Sequence, residues 1–252
     1  MGIKNQLRHK NTQPVGVASK LGKNLKKAAA IFLSLIVVGA LLVYALSAPI
    51  PEGTEGPEAD ALANQMLSAL NVEGFNQLKT ISFSYGGHYY LWNKAANKVD
   101  VSWGDYQAAL DLDDLSNSEA YQNGKAVEKK QALIDKAIAY FYNDSYWLAA
   151  PYKVYDKGVE RRVVNTENGT KALLVTHTTG GVTPGDSYLC LLDDTYRPTA
   201  FKMCVSIIPI GGVKASWEDY EIVSGVPFAT RHRMGPLSLF IKNLDGKPKT
   251  TD

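Results

Sequence analysis

Cysteine is nearly absent. Cys190 and Cys204 are the only two in 252 residues, which excludes the cysteine-dense disulfide and zinc frameworks that hold small folds together. Histidine is almost as scarce: His9, His88, His177 and His232 are the whole set, and no HxxxH, HExxH or CxxC spacing gives a metal centre local support. Also missing are the G-x-S-x-G elbow, the G-x-x-x-x-G-K-[ST] loop and G-x-G-x-x-G, the common signatures of hydrolase, nucleotide and dinucleotide sites. Ser216, Asp219 and His232 can be drawn as a triad, but any chain with several serines permits that drawing. The sequence therefore predicts no catalytic residue, no metal and no cofactor, and the chain reads as non-enzymatic.

Acidic residues are missing from residues 1–27, where Lys4, Arg8, Lys10, Lys20, Lys23, Lys26 and Lys27 supply seven positive charges. Removing these from the overall +2 leaves about −5 for the rest, which has no basic stripe, so nucleic acid is not an expected partner. Charge of either sign is missing from 28–46, AAAIFLSLIVVGALLVYAL. At about 1.5 Å of rise per helical residue this run reaches roughly 28 Å, close to the thickness of a hydrocarbon core. A basic segment before it and Glu52, Glu55, Glu58, Asp60 and Glu73 after it predict a cytoplasmic N-terminus and an exported C-terminal part. Ala45-Leu46-Ser47-Ala48 would suit a signal peptidase, but the run is longer than a secretory core usually is, which favours an uncleaved signal-anchor. No cysteine near the end of the run offers a lipidation site.

Residues 47–57, with three prolines and two glycines, read as an extended spacer off the bilayer. Ala59, Leu62, Ala63, Met66, Leu67 and Leu70 then share one helical face, and Asn71 and Gly74 suit its end. Over 80–103 the period changes to two, as in Ile81, Phe83 and Tyr85 or Val99, Val101 and Trp103, which predicts an antiparallel meander. A second helix is expected over 118–142 on the face of Ala126, Leu133, Ile134, Ala137, Ile138 and Phe141, with Asn143 and Asp144 ending it and capping the turn into a strand. Short strands follow, clearest at 171–177, 187–192, 199–207 and 237–241. Their spacing argues for one antiparallel sheet, strongly curved or nearly closed. Residues 243–252 read as a disordered tail. Cys190 and Cys204 fall on consecutive strands joined by a turn; a cross-strand disulfide and two free thiols are both compatible with that placement. Asn143 and Asn168 begin glycosylation sequons of the kind common by chance.

The block Asn143-Asp144-Ser145-Tyr146-Trp147-Leu148, continuing to Pro151-Tyr152-Lys153, is followed by Gly181-Val182-Thr183-Pro184-Gly185-Asp186-Ser187-Tyr188 and by the turn ending in Arg197-Pro198. This order resembles a group of uncharacterised exported bacterial proteins that are similar to the lipoprotein-localisation superfamily of LolA/LolB-like carriers. The resemblance implies an incomplete antiparallel barrel, covered by helices, that encloses an apolar cavity for acyl chains.

The expected fold is α+β: a transmembrane helix over 28–46, then a half-barrel domain over 58–242 with a curved antiparallel sheet and two covering helices. The expected place is the bacterial inner membrane, single-pass, with the domain in the periplasm. The favoured function is binding of a lipid, acylated ligand or lipoprotein in the barrel, since each buried methylene contributes about 0.8 kcal/mol without any catalytic group. Beside it stands a structural or protein-interaction domain with a filled core, and behind both an enzyme. No ligand-binding position carries over from the carriers to this sequence.

Overall fold

The computed structural model describes residues 27, 29, 31–39, 41, 43–45, 47–179, 184–207 and 210–249. The chain divides into two compact units at Leu46. In the first, residues 31–39 are helical and Ile31, Phe32, Leu33, Leu35, Ile36, Val37 and Val38 are all exposed. Among the described residues no helix is long and apolar enough to cross a membrane. The expected span 28–46 and the basic segment 1–27 fall partly outside the described residues.

The second unit is α+β and built on three antiparallel sheets, none of them closed into a barrel. Helix α1 (Pro57–Ala69) forms as its pattern predicts and buries Ala59, Leu62, Ala63, Met66 and Leu67. Asn71 then takes the left-handed conformation. Its carbonyl side chain accepts from Gly74 N at 3.1 Å and its amide donates to Gly225 O at 2.8 Å, so one residue ends α1 and caps the short α2 (Val72–Gln77).

The meander is present and longer than expected: β1 (Leu78–Tyr85), β2 (His88–Asn93), β3 (Lys98–Trp103), β4 (Tyr106–Asp111), β5 (Glu119–Gln122) and β6 (Lys125–Ala126). β5 and β6 occupy the first part of the expected 118–142 helix. Asn123 and Gly124 at φ 50 and 74 make the Asn-Gly hairpin turn that no helix accommodates. Helix α3 (Gln131–Ala149) starts later and runs further than expected, through Asn143 and Asp144. It stops where the 3₁₀ turn Ala150–Lys153 brings in Pro151, which has no N–H to continue the ladder.

The remaining strands are β7 (Val159–Asn165), β8 (Lys171–His177), β9 (Ser187–Leu192), β10 (Pro198–Cys204), β11 (Val213–Ser216), β12 (Glu218–Val223), β13 (Val226–Met234), β14 (Leu237–Phe240) and β15 (Lys242–Pro248). They do not form one sheet with the meander. β11-β10-β9-β8-β7 make a second sheet and β12-β13-β14 a third, while β15 returns to the open edge of β1. The segment from Asn243 is therefore a strand up to Pro248, not a disordered tail. Edge N–H and C=O groups of β1 need partners, and Gly246 fits closely against Leu78 and Val223. α1 packs on β7 and β8, and α3 on β4, β5 and β13, so one continuous core joins all three helices to the sheets.

Residues 47–57 are not a free spacer. Ala48 N donates to Gly211 O at 2.9 Å, and Thr54 and Val163 exchange two backbone hydrogen bonds. These attachments lie at the β10–β11 turn and at β7, on opposite sides of the second sheet. Six residue steps reach at most about 20–22 Å, and four strand spacings measure about 19 Å, so the segment crosses the sheet nearly straight. It crosses the outward face: a Cβ on Gly53 would meet Arg162 Cβ at 2.8 Å and Val164 Cγ2 at 2.9 Å. That face also carries a second apolar cluster of Val164, Ala172, Leu174 and Leu189.

Candidate functional site

The densest group of titratable side chains surrounds Asp144. This residue lies mid-helix on α3 and is 2% exposed. His88 Nδ1 lies 2.8 Å from its Oδ2, Tyr90 Oη donates to the same oxygen at 2.5 Å, and Asn143 Nδ2 donates to Oδ1 at 2.8 Å. Burial, and then the Asp144 charge, push the Tyr85 and Tyr90 hydroxyls up from their ordinary range. The His88 ring stacks on Tyr140 with centroids 3.8 Å apart. Nδ1 is held by the carboxylate, and the His88 side chain is 19% exposed. A carboxylate that fixes one imidazole nitrogen sets the tautomer and ring orientation. Among the described residues no serine, threonine or cysteine bonds to His88, so the cluster offers an oriented acid–base group without a nucleophile. Its plain effect is to fasten α3 to the β1–β2 hairpin.

Of the other described histidines, His177 lies on β8 and His232 on β13. His177 meets the rings of Tyr146 and Tyr188 at 5.8 Å each, and burial lowers its pKa. His232 is fully buried, with Trp217 and Trp147 at 4.7 and 5.2 Å. Burial lowers its pKa to about 4, against smaller upward effects from the Ser216 and Trp147 backbones and the Glu218 charge. No three potential ligands gather for a metal among the described residues. The drawn triad does not assemble: His232 Nδ1 faces the Ser216 carbonyl at 3.0 Å, Ser216 Oγ accepts from Arg233 N, and Asp219 pairs with Arg231.

Cys190 and Cys204 are separate free thiols. Cys190 stands opposite Phe201 and Cys204 opposite Ser187, an offset of three residues. Because side chains alternate along a strand, the odd offset puts the two sulfurs on opposite faces. Cys190 joins the core, where burial raises its pKa and keeps it an inert thiol. Cys204 Sγ lies 4.0 Å from Ala48 O.

Within the core, aromatic side chains pack against one another. Phe75 stacks on Tyr152 at 4.1 Å, Phe83 on Tyr90 at 4.7 Å, Trp92 meets Phe141 at 5.3 Å, and Phe201 meets Trp217 at 4.7 Å. One cleft is open and external. It measures about 490 Å³ and is lined by Ala48, Pro49 and Ile50 on one side and by Pro184, Cys204 and Val205 on the other.

No protein-family model and no curated protein matches the chain. Among solved structures, that of a DUF1329 family protein from Desulfovibrio piger ATCC 29098 is similar at 11% identity, covering 77% of this chain and 95% of that one, with a TM-score of 0.35.

Sequence reasoning missed the Asp144 cluster because it read Asn143-Asp144 as a helix end. The available signal was the alternation of His88 and Tyr90 on one face of β2, which offers a buried carboxylate its partners. The docking of residues 47–55 had a signal too: Gly53 and the Gly211-Gly212 pair are positions where backbone passes too close for a side chain.

Proposed function

We propose that the chain is a membrane-anchored, extracytoplasmic interaction domain whose half-barrel is filled by its own side chains. The observation that carries this reading is the ring-filled interior, where a LolA-like carrier would keep room for acyl chains. Phe83, Tyr90 and Phe228 are fully buried there, and each such ring removes about 150–250 Å² from water. An acyl chain could enter only by displacing them. Of the two leading expectations from sequence, this reading takes the second, a non-enzymatic domain that meets its partner on its surface. The apolar run and its one-sided charges support the anchor, and with it a domain on the periplasmic side of a bacterial inner membrane.

The external cleft favours a second reading, in which a lipid or lipoprotein acyl chain lies against Pro49, Ile50 and Val205. Titration of the full chain in detergent-free nanodiscs with a fluorescent fatty acid tests the two. The interaction reading expects no saturable binding; saturable binding weakened by Val205→Asp would establish the cleft, and saturable binding weakened instead by a core change such as Phe83→Ala would establish an interior site. Extraction with alkaline carbonate tests the anchor: a chain that stays with the membrane supports it, and a chain released to the supernatant refutes it.

A further inference from the structure

The segment that enters the domain leaves no slack. Ser47 Oγ accepts from Gly211 N at 2.8 Å and Ala48 N donates to Gly211 O at 2.9 Å. A Cβ on Gly211 would lie 2.3 Å from Ala48 O, and one on Gly212 would lie 2.7 Å from Ala48 Cβ, so both glycines are needed for the approach. The folded domain thus begins at the residue immediately after the apolar run, one Cα step of about 3.8 Å beyond it. The polar zone on one side of a bilayer is only about 5–7 Å deep, half the difference between the total and hydrocarbon thicknesses. If residues 28–46 span, Ser47 lies in that zone and brings the β10–β11 turn with it.

The composition of that end suits the position. Ile50 is 49% exposed and Ile207 72% exposed. Residues 203–213 contain no charge. Ile207 is four residues from Gly211 and so at most about 14 Å away along the chain. One exposed isoleucine is ordinary, but two beside the point of entry form a pattern with the next residues up the strands. Lys202 and Lys214 are register partners on β10 and β11, both exposed, and among the described residues neither meets a carboxylate. Like charges directly opposite on a sheet are unfavourable unless an anion lies between them. The tip is also held in shape from behind: the buried Asp186 accepts from Ser206 N at 2.8 Å.

We propose that the β10–β11 end of the domain, together with Ile50, rests on an anionic phospholipid surface, with Ile207 and Ile50 at the headgroup–acyl boundary and Lys202 and Lys214 on lipid phosphates. The proposal rests on the anchored reading and adds to it a fixed orientation of the domain on the bilayer. Apolar tips behind basic residues are how interfacial elements divide these tasks.

The test uses the full chain in vesicles of mixed phosphatidylethanolamine and phosphatidylglycerol, with an environment-sensitive fluorophore on the Ile207→Cys variant in a Cys204→Ala background. An Ile222→Cys variant on the third sheet is the control. Blue-shifted emission at position 207, quenched by nitroxide-bearing lipid and cut severalfold by Lys202→Glu with Lys214→Glu, supports the proposal. A chain that carbonate strips from the vesicles removes the anchored reading and the proposal together. A chain that stays while position 207 emits as position 222 does overturns the proposal alone, as does a blue shift that lipid nitroxide cannot quench, since protein would then cover the tip.

Discussion

His232 should make the domain acid-sensitive, and the size of the effect follows from its surroundings. Burial against Trp147 and Trp217 holds the imidazole neutral in the fold, with its pKa lowered from 6.5 to about 4. In the unfolded chain the ring is in water and takes up a proton below pH 6.5. Between those values the unfolded state binds more protons, so stability is full above about pH 6.5, falls as the pH drops, and levels off below about 4. That interval corresponds to about 3 kcal/mol, a large share of the roughly 5–15 kcal/mol that holds a domain of this kind together. Urea unfolding at a series of pH values between 7 and 4 measures the slope. His232→Asn keeps a donor for the Ser216 carbonyl at the expense of some packing; it should lower stability at pH 7 but remove about 3 kcal/mol of the pH dependence. Lowered carboxylates such as Glu218 and Asp193 contribute in the same direction at lower pH, and so does His177, but all remain in the variant and cancel in the comparison. Equal slopes for the two proteins would refute a buried neutral imidazole at this position.

Asp144→Ala should cost about 3–5 kcal/mol in urea unfolding, because it strands the buried Tyr90 hydroxyl and the paired His88; a loss below about 1 kcal/mol would show that the cluster does not fasten α3. Gly211→Val should detach residues 47–50, exposing them to limited proteolysis while the near-ultraviolet circular dichroism of the core is kept; unchanged cleavage would argue against the docked segment. Lys94 donates to the Phe75 carbonyl and lies over its ring. Burial, followed by the Lys153 and Lys249 charges, lowers its pKa to about 8. The unfolded chain then holds the extra proton from about pH 8 upward, so Lys94→Met should flatten a rise in stability between pH 8 and 10, and an identical rise in the variant would contradict this.

Elements whose burial pattern is set locally were legible in the sequence. The α1 face and the β1–β3 meander follow from period, and the bounds of β8 and β9 from the turn residues that flank them. What was not legible depends on partners distant in the chain. The tail becomes β15 because β1 has an open edge 165 residues away. Asp144 sits inside a helix because Tyr90 and His88, from another element, satisfy it. The cysteines miss each other because the β9–β10 register sets Cys190 opposite Phe201, and that register cannot be read from the turn length. Asn123-Gly124 is by itself a strong hairpin signal, and locally it outweighs the apolar periodicity that runs through Ala126. The docking of residues 47–55 was hidden for a different reason. Prolines and glycines that suit a free spacer also suit an extended segment held against a sheet, where its missing side chains let two backbones meet.

On the proposed reading the sheets enclose side chains and no ligand. Native mass spectrometry of the full chain, released from nanodiscs after expression in a bacterial membrane, tests this most directly. A filled interior predicts the bare protein mass once loosely held bilayer lipid has been removed by mild activation. A stoichiometric phospholipid or fatty acid that survives activation, and that is lost when Phe83 or Tyr90 is replaced, would contradict it.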